Sequence, residues 1–125
     1  MSGIPKIFLR KTFVRNSCKN IGDDSFVFQL KNPIGSGTVT EIYYFKLNDE
    51  NIPLDNVTCY RTDEGPEAIT QVKDINADNP YVMNSQGAVH FTVKGFQLKP
   101  GDNKLELSFF TEEVGNVEFD VSVKG

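Results

Sequence analysis

The chain has 125 residues, a formal charge of −4 and a pI near 4.9, enough for one hydrophobic core and too little for two. Val, Ile, Phe, Tyr and Thr supply 42 residues against 10 for Ala and Leu, while Asn, Gly and Pro add 27, a composition of strands and turns rather than helices. Two cysteines exclude a disulfide scaffold, the acidic balance argues against nucleic acid, and no apolar run approaches the ~20 residues of a membrane span.

The opening residues, Met1 to Lys6, contain no long apolar stretch of the secretory kind, so a cytoplasmic protein with free Cys18 and Cys59 is expected. Ile7 to Val14 reads as a first strand, with Ile7, Leu9 and Phe13 on one face. Ser25 to Lys31 reads as a second, with Phe26, Phe28 and Leu30 inward, closed by a Pro- and Gly-rich loop at Asn32 to Gly37. Thr38 to Leu47 is the longest strand. Strict alternation puts Val39, Glu41, Tyr43, Phe45 and Leu47 on one of its faces and Thr40, Ile42, Tyr44 and Lys46 on the other. Asn48 to Asn51 is a polar reversal. Ile52-Pro53-Leu54 is edge-like, because proline cannot donate to a central ladder.

Val57 to Arg61 is the next strand, with Cys59 as a small buried hydrophobe beside Val57. Residues 62–86 are irregular, with one short strand near Ile69 to Val72. Ala88 to Lys94 turns Val89, Phe91 and Val93 inward and His90 outward. Pro100-Gly101 marks a turn. Lys104 to Thr111 and Asn116 to Lys124 both alternate. The short Gly-containing link between them predicts a C-terminal antiparallel hairpin. The whole of residues 1–125 therefore reads as a single all-β domain, an immunoglobulin-like antiparallel β-sandwich of seven to eight strands, with a small closed barrel as the alternative.

Chemistry is sparse. One histidine, placed on the wet face of a strand, and scattered serines give no triad. Two cysteines and one histidine lack zinc spacing. Asp74-x-Asn76-x-Asp78 begins like a calcium loop, but Asn79 stands where glycine is needed and Ser85 where glutamate is needed, so it reads as a turn. Glu64, Glu67, Glu112 and Glu113 fall in loops and read as solvated surface. No catalytic or metal-binding residue is assigned.

The Thr38–Leu47 strand is apolar on both faces, and Phe110 breaks the polar face of its own strand. Ile42, Tyr44 and Phe110 are therefore assigned as a partner interface, unless residues 62–86 or the first strand fold over them. A competing possibility is a sugar-binding or adhesion module using Tyr60 and Tyr81 as stacking platforms. A stand-alone enzyme with an Asp/Glu pair is a third.

The order of pieces is also informative: Phe26-x-Phe28-x-Leu30-x-Asn32, then Gly37-Thr38-Val39-Thr40-Glu41-Ile42, then Leu47 to Leu54. Asn79-Pro80, Val89-x-Phe91-x-Val93-x-Gly95, Leu98-x-Pro100-Gly101 and Gly115-x-Val117-x-Phe119-x-Val121 follow. Over nearly the whole chain this resembles the small β-subunit family of C-glycoside deglycosidases. The resemblance implies a non-catalytic β-sandwich in a hetero-oligomer with a larger TIM-barrel α-subunit similar to sugar isomerases. That partner would carry a divalent metal, manganese, with no cofactor in this chain. The implied reaction is a lyase step of glycoside catabolism, cleaving the carbon–carbon bond between a 3-oxo-sugar and an aromatic aglycone. The metal and the catalytic base would both lie on the α-subunit.

Overall fold

The computed structural model describes residues 10–14, 16–31, 37–83 and 87–125. Among these described residues ten strands form two antiparallel sheets that face one another. They are β1 (Lys19–Ile21), β2 (Ser25–Lys31), β3 (Gly37–Leu47), β4 (Glu50–Ile52), β5 (Val57–Arg61), β6 (Thr70–Gln71), β7 (Tyr81–Met83), β8 (Ala88–Lys94), β9 (Asp102–Thr111) and β10 (Gly115–Lys124). One sheet runs β1-β2-β8-β5-β6. The other runs β10-β9-β3-β4, with β7 also paired to β3. The sandwich and its C-terminal hairpin are as the alternation predicts. The count exceeds the expected seven or eight because β1, β4, β6 and β7 are pieces of two or three residues.

The core lies between the sheets and is built from phenylalanines. Phe28 stacks on Phe91 with ring centres 4.9 Å apart and planes 5° from parallel. Phe45, from the opposite sheet, meets Phe28 and Phe91 edge-on at 6.3 and 5.7 Å. Both geometries suit the ring quadrupole. Leu105, Leu107, Val117, Phe119 and Val123 of the hairpin complete the second layer, and Val57, Cys59, Val89 and Val93 the first.

Two turns show how local sequence fixes register. Asn48 and Asp49 both have positive φ, 51° and 69°, and Leu47 pairs with Glu50. This is a two-residue hairpin turn of the type that asparagine and aspartate tolerate. The Asn48 amide then ties the turn to β9: its Nδ2 donates to Asn103 Oδ1 at 2.9 Å, and its Oδ1 accepts from the Lys104 N–H at 2.8 Å. At the other end Thr111 pairs with Gly115, whose φ of 78° lets the chain reverse.

Ile7 and Leu9 of the expected first strand lie outside the described residues. Arg10–Thr12 is a 3-10 turn instead, and Phe13 is buried and bridges to Leu30. Residues 32–36 of the expected loop, and Ser85, also lie outside the described residues. The 62–83 segment is more ordered than its composition suggests, burying Val72, Ile75 and Met83 and pairing β6 with β5 and β7 with β3.

Candidate functional site

The outer face of the β10-β9-β3-β4 sheet departs most from ordinary solvated surface, and two irregularities in β3 build it. Val39 pairs with Thr111 but Glu41 with Phe110. Ile42 pairs with Phe109 but Tyr44 with Ser108. At each step β3 advances two residues while β9 advances one, which is a β-bulge. Both bulges fall between the stretches of β3 paired to β7 and to β4. Each resets the alternation. Val39, Ile42, Phe45 and Leu47 consequently face the core, while Glu41, Tyr43, Tyr44 and Lys46 face out.

This corrects the placement of Ile42. Its side chain packs against the core and lines a cavity of about 20 Å³ with Phe45, Cys59, Tyr81, Phe91 and Phe109, among others. Tyr44 and Phe110 do lie on the outer face, both partly exposed.

On that face the two tyrosines lie across their neighbours. The Tyr44 hydroxyl is 3.2 Å from Glu118 Oε2. Tyr44 pairs with Ser108 and Ser108 with Glu118, so the ring spans β9 and Ser108 beneath it is buried. The Tyr43 hydroxyl reaches Asn116 Oδ1 at 3.3 Å in the same way, and Asn116 is the cross-strand neighbour of Phe110. Lys46 Nζ stands 4.6 Å from the centre of the Tyr44 ring, within cation–π range. Burial lifts the Tyr44 pKa above its ordinary 10.0, with the Glu118 and Glu106 charges adding to the rise. The rings are thus held before anything binds, which lowers the ordering cost of an interface. Beside them a groove of about 490 Å³ is lined by Tyr43, Tyr44, Lys46, Asn51, Ile52, Pro53 and Leu54.

The other positions considered for chemistry are separate. His90 lies on the outer face of the opposite sheet, stacked on Tyr60 at 4.5 Å, with Nε2 2.7 Å from Thr62 Oγ1. Burial lowers its pKa from 6.5. Cys59 is buried and Cys18 partly so; both are free, and burial pushes their thiols up to about 11 and about 12. Tyr81, proposed above as a sugar platform, lines the internal cavity, and its buried hydroxyl is directed at the Cys59 thiol.

The Asp74–Asn79 segment is a turn: Asn76 Oδ1 accepts from the N–H groups of Asp78 and Asn79, both at 2.9 Å. Glu64 pairs with Arg61 at 2.8 Å. Glu113 accepts from the Thr38 N–H at 2.7 Å and hydroxyl at 2.9 Å. Among the described residues no three His, Cys, Asp or Glu side chains form a metal-sized group. None of the helices there is long and apolar enough to cross a membrane.

A family model described as hydroxymethylglutaryl-CoA reductase, N-terminal domain, matches residues 8–124. No curated protein matches the chain. The family match overturns the resemblance to the C-glycoside deglycosidase β-subunit, and with it the lyase reaction on a 3-oxo-sugar. The pieces that carried that resemblance are alternating Val-x-Phe strands, an acidic turn before Ile52-Pro53, and Leu98-x-Pro100-Gly101. Such pieces arise in many antiparallel sandwiches from strand alternation and turn chemistry alone, and their order reflects the order of strands rather than a reaction. The sugar-isomerase-like barrel and its manganese were implied by the resemblance alone.

Proposed function

We propose that this chain, which belongs to the family of hydroxymethylglutaryl-CoA reductase N-terminal domains, is a docking domain that seats a reductase catalytic unit on its outer tyrosine face. One observation carries this reading: Tyr43 and Tyr44 are laid over β9 and tied to Asn116 and Glu118, next to the partly exposed Phe110. Aromatic anchors that are rigid before contact are what interface energy concentrates on. The chemistry of hydroxymethylglutaryl-CoA reduction then belongs to the partner unit, and this domain positions it.

The test is binding of the purified chain to a hydroxymethylglutaryl-CoA reductase catalytic unit, measured by titration calorimetry. The wild-type chain is expected to bind. Tyr44→Ala with Phe110→Ala is expected to bind at least about tenfold more weakly, with the β-sheet circular dichroism retained. Equal affinity in the double variant sinks the assignment of this face. Reduction of hydroxymethylglutaryl-CoA by this chain alone sinks the docking reading itself.

A further inference from the structure

The two sheets carry different charge. Strands β1, β2, β5, β6 and β8 contain Lys19, Lys31, Arg61 and Lys94 and no acidic residue at all. The strands of the sheet that presents the tyrosines contain six carboxylates against three lysines. Those lysines are already engaged: Lys104 with Asp49 at 2.7 Å, Lys124 with Asp102, and Lys46 against the Tyr44 ring. Glu41 and Glu118 are exposed and have no ion-pair partner among the described residues. They lie on opposite sides of the aromatic patch. Glu41 is directly across from Phe110 of β9, and Glu118 on β10 accepts from the Tyr44 hydroxyl. Two strand spacings, about 10 Å, separate β3 from β10, with Phe110 and the two tyrosines between the carboxylates. An uncharged aromatic centre inside a polar rim is how protein interfaces are built, and this rim has one sign of charge left over.

Resting on the docking reading above, we infer that the partner surface seated on this face is basic. Its lysine or arginine side chains meet Glu41 and Glu118, around an apolar centre that meets Phe110 and the tyrosines. Charge complementarity selects this chemistry over the alternatives. A second copy presenting the same face meets an excess of its own charge, and an acidic partner does so more strongly. Like charges brought together oppose docking. A wholly apolar partner strips water from two carboxylates and gives them nothing in return. Tyr43, 44% exposed, also offers a ring on which an arginine guanidinium can lie. Exposed rim charges act chiefly on the rate of encounter, so the acids steer the partner in and the aromatic anchors hold it.

The test is stopped-flow association of the full chain with the hydroxymethylglutaryl-CoA reductase catalytic unit, at about 20 mM and about 300 mM salt. Wild-type association should slow about tenfold between the two. Glu41→Gln with Glu118→Gln should slow association about fivefold at low salt and flatten its salt dependence, while dissociation changes less than about twofold. Glutamine at 118 keeps an oxygen for the Tyr44 hydroxyl, so the tyrosine stays tied. Tyr44→Ala with Phe110→Ala should act instead on dissociation. Lys19→Gln, Lys31→Gln and Lys94→Gln together make the chain three charges more negative, but on the sheet about 10 Å behind, beyond the ~8 Å screening length of physiological salt. That triple variant should associate as wild type does at physiological salt. Association that ignores salt, or that the two glutamines leave unchanged, overturns the inference while docking itself stands. So does a triple lysine variant that speeds association as much as the glutamine pair slows it, because net charge alone then accounts for the attraction. Absence of any complex at either salt removes the docking reading and this inference with it.

Discussion

Phe28 lies flat on Phe91, beside Phe13 and Phe26, and receives the edge of Phe45 from the opposite sheet. Truncating it leaves a hole touching both layers, so Phe28→Ala should cost about 3–5 kcal/mol. That is a large share of a typical domain's ~5–15 kcal/mol, and urea titration reads it directly. The thiols make a second prediction. Cys59 and Cys18 are pushed up to about 11 and about 12 from an ordinary 9.0, so the unfolded chain loses these protons first. Their contribution to stability is whole below pH 9 and is lost as pH rises towards 11 and beyond. Neither should react with a thiol reagent at pH 8 until urea unfolds the chain, when both should. The burial of Cys59 is legible in the sequence, from its alternation with Val57. The inward turn of Ile42 is not, because counting by twos carries no sign of a residue that its partner strand skips.

At the scale of elements, turns are the most readable features and bulges the least. Asn48-Asp49 announces a reversal, since these residues accept positive φ, and the structure adds the amide bridge to Asn103 and Lys104. Two variants separate these contributions. Asn48→Gly keeps the backbone freedom and loses the bridge, for about 1–2 kcal/mol. Asn48→Ala also forces a Cβ residue to hold φ of 51°, adding about 1 kcal/mol. Thermal unfolding should therefore rank wild type above glycine above alanine. Equal melting of the two variants would show that the amide bridge alone matters. Tyr44 and Phe110 are visible in the sequence as breaks in polar alternation. The hydrogen bonds that fasten Tyr43 and Tyr44 across β9 are not, because they join residues more than 70 positions apart.

For the molecule as a whole, composition and alternation are sufficient for the class of fold, because a sandwich is the way many short two-faced strands bury one face. They are insufficient for the family, because the same pressures write similar strands and turns into unrelated sandwiches. With one continuous aromatic core, circular dichroism and tyrosine fluorescence should report the same unfolding midpoint in urea. Separate midpoints would divide the chain into independent units. The sheet order has a consequence in time. β2 waits for β8, whose first residue is Ala88, and β3 waits for β9, which begins at Asp102. On a ribosome most of the chain emerges before either sheet can close, and until then the phenylalanines of β2 and the tyrosines of β3 are open to other chains. Folding dominated by such distant pairings is slow, on the order of milliseconds to seconds. Yield in cells should therefore depend on chaperones and on translation speed more than on the stability of the finished sandwich.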